Sequence, residues 1–179
     1  FTAFTQESVI GRAINLKKVI EINVINIRDF SKNKHRKVDD APYGGGPGMI
    51  MTFQPVYDAY RSIVDGLDYK PKVIYMSPQG QVLTQDLAKK LAEEKHLVIL
   101  CGHYEGIDER IIEEIVDEEI SIGDYIVTGG ELPAMVLMDC VARMVPGVLP
   151  RDECFLEESF MDGLLEYPQY TRPEEIMGR

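Results

Sequence analysis

"LVILCGHYEGIDERIIEEIV", residues 97–116, sets a five-residue apolar run directly before a glycine-bearing turn and a charged, helix-like stretch. Short apolar runs bounded by turn signals read as buried strands. The same order recurs on either side. "KVIYM" (72–76) runs into "SPQG" and then the capped helix "TQDLAKKLAEE" (84–94), and "ISIGDYIVT" (120–128) runs into "GGELP". Strands alternating with helices predict an α/β fold built on a parallel sheet. Loops at the carboxyl ends of parallel strands gather on one edge, where ligands bind, so the three glycine loops are expected to converge.

Further out, "FTQESVIGRAINLKK" (4–18) has helical spacing and "VIEINVINI" (19–27) alternates as a strand does. "FQPVYDAYRSIVDGL" (53–67) puts Val56, Ala59, Tyr60 and Ile63 on one helix face, while "ELPAMVLMDCVARMV" (131–145) is apolar nearly all round and predicted to be buried. Length and composition fit one domain with a short extension: 179 residues, 45% of them hydrophobic.

A net charge of -11 argues against a nucleic-acid surface, which depends on Lys and Arg to neutralise phosphates. The charge is uneven, however. Arg28, Lys32, Lys34, His35, Arg36 and Lys37 form a basic run ahead of "DDAPYGGGPGMIM" (39–51), whereas residues 105–119 are strongly acidic. The basic run reads either as a solvated loop or as a phosphate-binding one. Three cysteines, Cys101, Cys140 and Cys154, lack metal-like spacing and suit a reducing, cytoplasmic setting. No apolar run is long enough for a membrane span, so no membrane partner is expected. The chain opens on Phe1 and stops in mid-pattern at "EEIMGR", which reads as part of something longer.

Glycine loops invite nucleotide readings, but neither G-x-G-x-x-G nor G-x-x-x-x-G-K-[ST] occurs. There is no G-x-S-x-G elbow, and His35, His96 and His103 have no evident nucleophile or metal partner; no metal site is predicted. His96 reads as a surface residue at a helix end. Together the three loops suggest a compact ligand held largely by backbone groups, with structural turns as the plain alternative.

"CGHYEGIDER", "SIGDYIVTGGELPA", "DDAPYGGGPGM" and "GLLEYPQYTRP" resemble the TrmD family of bacterial tRNA (guanine-N1)-methyltransferases, of the SPOUT class, over nearly the whole chain. The resemblance implies a SPOUT-type parallel sheet flanked by helices, with a deep C-terminal trefoil knot. It also implies a homodimer with active sites between subunits, tRNA as partner, and S-adenosylmethionine as methyl donor. A divalent-ion requirement is left open. The expected division is residues 1–146 as the cofactor-binding and catalytic domain, 147–172 as an interdomain linker, and 173–179 as the start of a C-terminal tRNA-binding domain.

Carried over position by position, the family's cofactor contacts fall on Met76, Ser77, Pro78, Gly102, Tyr104, Glu105, Gly106, Ile122, Gly123, Asp124, Tyr125, Ile126, Val127, Gly129, Gly130 and Pro133. Glu105 has a second reading, as an acid favoured at a helix start. Contacts to tRNA fall on Arg28, His35, Arg36, Lys37, Gly45 and Gly46, the glycines letting RNA approach closely. The family's catalytic pair is an Arg on the last helix and a linker carboxylate, here Arg143 and Glu158. The family has Asp where this sequence has Glu158. Read without the resemblance, Arg143 has an alternative reading as a structural ion-pair partner, since a lone Arg on an apolar helix is costly unless paired. Two rivals remain: a SPOUT enzyme for another RNA, and a non-catalytic binder that keeps the loops.

Overall fold

The computed structural model describes residues 1–150, 158–160 and 163–178. Its centre is a sheet of β3 (Lys72–Val82), β4 (Leu97–Cys101) and β5 (Glu118–Ser121), in the order β4-β3-β5. Both pairings are parallel. Strand side chains alternate between faces. Ile74 and Met76 join Ile120 beneath α4 (Gln85–Ala92) and α6 (Glu131–Met144), where Ala88, Leu91, Ala134, Leu137 and Val141 close one core. Tyr75 and Leu100 face the other way, with Val56 of α3 (Phe53–Val64) and Ile111 and Ile115 of α5 (Glu109–Ile115). A sheet covered on both faces needs apolar residues at every position, which is why these strands read as unbroken apolar runs.

The helices start where capping residues dictate. Thr84 accepts a hydrogen bond from the Leu87 N–H at the head of α4. Asp108 does the same for Arg110 at the head of α5, with its carboxylate also held by the Arg110 guanidinium at 2.6 Å. That hydrogen bond to Arg110 lowers the Asp108 pKa.

Several predicted elements differ in the structure. Residues 4–18 are not one helix: α1 (Thr2–Gln6) breaks at an extended Glu7, α2 (Ser8–Arg12) follows, and Ala13–Lys17 form a π-helical turn. The break folds Gly11 against the Gln6 backbone, where a Cβ would lie 2.4 Å from a carbonyl carbon. Residues 19–26 form no strand despite their alternation, because no neighbouring edge pairs with them. They line a cavity of about 1310 Å³ whose other walls include β4 and α6. A short 3-10 turn, Ile27–Phe30, follows, capped by Asn26. β5 ends at Ser121 rather than Thr128, because Gly123 turns the chain at φ +137 and its N–H is captured by Ser121 Oγ at 3.1 Å.

α6 is not buried all round either. Leu132 and Val136, one turn apart, are 54% and 43% exposed. His96 is half-buried rather than at the surface, with its ring nitrogen 3.2 Å from the Tyr69 hydroxyl. Past α6, Val148 and Leu149 are buried, and Lys17 Nζ donates to the Gly147 carbonyl at 2.7 Å. Among the described residues no helix is long and apolar enough to cross a membrane.

Candidate functional site

Register decides that the strand ends coincide. Met76 pairs with Cys101 on one side and with Ile120 on the other, so the "SPQG" segment and the loops after β4 and β5 leave from one level of the sheet. Ile120 then pairs a second time, with Gln81, so residues 77–80 leave the ladder and return opposite the same neighbour. "SPQG" is therefore an excursion within β3 rather than a loop that ends it. Gly80 is obligatory there: a Cβ would sit 2.3 Å from the Glu119 backbone.

Around this edge the contacts run through the main chain. Gly130 N–H donates to the Gly102 carbonyl at 2.8 Å, and His103 bridges to Gly129. A Cβ on Gly130 would lie 2.8 Å from Cys101 Cα. Burial drives the Cys101 thiol up to about 12, which leaves it an inert packing group. Met76, Ser77, Gly102, Gly130 and Pro133 are buried, whereas Pro78, Tyr104, Glu105, Asp124, Tyr125 and Ile126 are exposed. Gly106, Ile122, Gly123, Val127 and Gly129 lie between these extremes. Main-chain contacts thus join the loop after β4 to the head of α6, with Gly102 and Gly130 buried at this rim, while Tyr125 and Ile126 are exposed.

Two participants escaped the sequence reading. Tyr75 is buried on β3, and a Cβ on Gly102 would strike its hydroxyl at 2.8 Å, so Tyr75 occupies the space the glycine leaves. Its place as the residue before Met76 carries no signal of that role. His103 pairs through Nε2 with Glu131 Oε1 at 2.5 Å, joining the loop after β4 to the first turn of α6. The two residues are 28 apart, and only the fold makes them neighbours.

A hairpin of β1 (Asp39–Asp40) and β2 (Ile50–Met51) carries the glycine-rich stretch and is sewn to the same rim. Glu105 N–H donates to the Met49 carbonyl at 3.0 Å, Met51 N–H to Gly106 at 3.0 Å, and Asp108 N–H to Met51 at 2.9 Å. Gly45 and Gly46 are open at its tip.

The basic run is partly committed within the protein. Arg28 donates to the Tyr104 hydroxyl at 3.3 Å and to the Arg36 carbonyl at 3.2 Å, Arg36 is ion-paired with Asp29, and Lys32 lies 3.2 Å from Asp58. His35 and Lys37 point their side chains to solvent, and the Lys37 carbonyl accepts from Ser31.

At the far end of α6, Arg143 and Glu158 form an ion pair, each about one-third exposed. The hydrogen bond to Glu158 raises the Arg143 pKa, so the guanidinium is cationic at any working pH. Glu131 and Arg143 stand at opposite ends of the helix, about 18 Å apart at 1.5 Å per residue. Glu157, Asp162 and Cys154 lie outside the described residues. Among the described residues no group of three His, Cys, Asp or Glu is arranged to hold a metal.

The model of the family described as tRNA (Guanine-1)-methyltransferase TrmD matches residues 1–179. A tRNA (guanine-N(1)-)-methyltransferase of Ruminiclostridium cellulolyticum is 64% identical over 178 residues, covering 99% of this chain and 76% of that protein. The protein of the same name from Clostridioides difficile is 54% identical over 179 residues, covering 99% and 77%. The crystal structure of tRNA (m1G37) methyltransferase from Aquifex aeolicus superposes with a TM-score of 0.81 at 38% identity, covering 99% of this chain and 72% of that one.

Proposed function

Because the chain belongs to the TrmD family of tRNA (guanine-1)-methyltransferases, we propose that it methylates N1 of the guanine just 3′ of the anticodon in tRNA, with S-adenosylmethionine as donor. The observation that carries the reading is the alignment of three glycine-bearing segments, the "SPQG" excursion of β3 and the loops after β4 and β5, by the Met76–Cys101 and Met76–Ile120 registers. The rim suits such a donor: buried glycine backbone for hydrogen bonds, a crowded apolar floor, and exposed Tyr125 and Ile126 to cover an adenine ring. When bound, S-adenosylmethionine supplies an electrophilic methyl group on a sulfonium.

The protein's own part is proton and charge management. Glu158 takes the proton from guanine N1, and Arg143 stabilises the negative charge that builds on the guanine oxygen. Their pairing holds the two groups at one place and orients the carboxylate. Since α6 keeps them about 18 Å from the loops of their own chain, the reading includes a homodimer in which one subunit's pair serves its partner's cofactor loops. Exposed Leu132 and Val136 on α6 supply apolar surface for that contact. The knot, residues 147–172 as interdomain linker, a C-terminal tRNA-binding domain beginning near 173, and a cytoplasmic setting belong to the same proposal.

The test is methyl transfer to tRNA transcripts differing only in the target guanine. Transfer to the guanine-bearing transcript alone is expected. Methylation independent of that guanine would move the reaction to another position in the RNA, and donor binding without transfer would make the protein a binder.

A further inference from the structure

The tip of the β1–β2 hairpin holds an aromatic side chain that the fold does not use. Pro42 to Gly45 form a turn, closed by Gly45 N–H to the Pro42 carbonyl at 3.1 Å, with Gly44 at φ +88 in its third position as a type II turn requires. This turn presents Tyr43 at its second position. Tyr43 is fully exposed, and among the described residues nothing makes a ring or hydrogen-bond contact with it. Around it the surface is cleared: a Cβ on Gly44, Gly45 or Gly46 would meet nothing within 4 Å. The hairpin's foot is fastened to the candidate site through the Met49, Met51, Glu105, Gly106 and Asp108 backbone. Lys37, its side chain in solvent, stands six residues before Tyr43, which limits their separation to about 20 Å.

We propose that Tyr43 is a base-stacking residue, presenting its ring to an unpaired base of the RNA substrate beside the methylation site. The inference rests on the functional reading above. An exposed tyrosine loses little conformational freedom on binding, and its face accepts any base, which is how proteins hold splayed single-stranded RNA. The open glycines leave room for the ribose and phosphate on either side. A protein partner fits less well, because Ala41, Pro42 and the glycines surround the ring with too little side chain to form the packed core of an interface.

The chain contains no tryptophan, so Tyr43→Trp introduces a single fluorescent reporter at the tip. Its emission is expected to be quenched by tRNA and unchanged by S-adenosylmethionine alone. Tyr43→Ala and Tyr43→Leu should each weaken tRNA affinity by roughly ten- to a hundred-fold, while Tyr43→Phe keeps it, since the π-face rather than the hydroxyl or the apolar bulk carries the contact. Donor affinity and the salt dependence of tRNA binding should not change, because no charge is altered. Wild-type tRNA affinity in both Tyr43→Ala and Tyr43→Leu, or an unquenched Tyr43→Trp, would overturn the inference and leave the functional reading standing. A change in oligomeric state in Tyr43→Ala would reassign the ring to contact with a second copy. Absence of tRNA binding by the wild-type protein carrying its proposed C-terminal domain would overturn the functional reading, and this inference with it.

Discussion

The two ends of α6 are built from different materials. At its N-terminus, Gly130 touches the Gly102 carbonyl and the Cys101 backbone so closely that no side chain fits between them. At its C-terminus, Arg143 and Glu158 meet through long side chains that remain about one-third exposed. A backbone-built surface derives its shape from the absence of atoms, so it is sensitive to added bulk and indifferent to charge. The side-chain pair has the opposite sensitivities. Its two groups can be changed in charge at nearly constant volume, and chemistry should respond long before stability does.

The largest expected effect tests the charged end. Glu158→Gln keeps size and hydrogen-bonding capacity but removes the proton acceptor, so methyl transfer should fall on the order of a hundred- to ten-thousand-fold with donor affinity and melting temperature nearly unchanged. Single-turnover rates beside calorimetric donor titrations would show it. A near-normal rate would break the comparison by reducing the Arg143 pair to an ordinary structural ion pair.

Next comes the backbone end. Gly130→Ala should destabilise the fold by about 1–3 kcal/mol through overpacking against the Cys101 backbone and weaken donor binding with it. Gly129→Ala should cost less stability, because its new methyl meets the side-chain ends of His103 and Glu131 at 2.7 and 2.6 Å, which can turn away, rather than main chain. Denaturant titration of the pair sharpens the contrast. Equal losses would mean that the two glycines are not distinguished by what they touch.

The smallest effect lies at the amino end of the sheet, away from both. Burial by itself raises the Asp117 pKa, but Lys70, the Val73 N–H at 2.8 Å and Lys72 together outweigh it and lower the value. A carboxylate with a depressed folded pKa contributes stability above its unfolded pKa of about 3.9, and that contribution is lost as pH falls through the folded value. Asp117→Asn should therefore cost about 1 kcal/mol near neutrality, and the difference from wild type should shrink below about pH 4. A pH series of urea melts checks this, and an unchanged difference in acid would contradict it.

Legibility followed the range of the interactions. The strands at 72–76 and 97–101 and the helices beginning at 85 and 109 were readable because each is declared locally, by a continuous apolar run or a capping Thr or Asp. Residues 19–27 misled because alternation reports a pattern suited to a sheet, not the presence of an edge to pair with. The end of β5 was missed because one side-chain hydrogen bond from Gly123 to Ser121 overrode an apolar continuation.

The amino-acid sequence by itself determined the α/β order, the glycine loops and, through resemblance, the candidate site residues. Those properties are written in local composition and spacing. Tertiary structure alone decided that Met76 lies between Cys101 and Ile120, that His103 meets Glu131, and that Arg143 finds Glu158 about 18 Å from the glycine rim. Each of these joins residues far apart in the chain. Contacts of that kind depend on register and packing summed over the whole domain, which no short window of sequence contains.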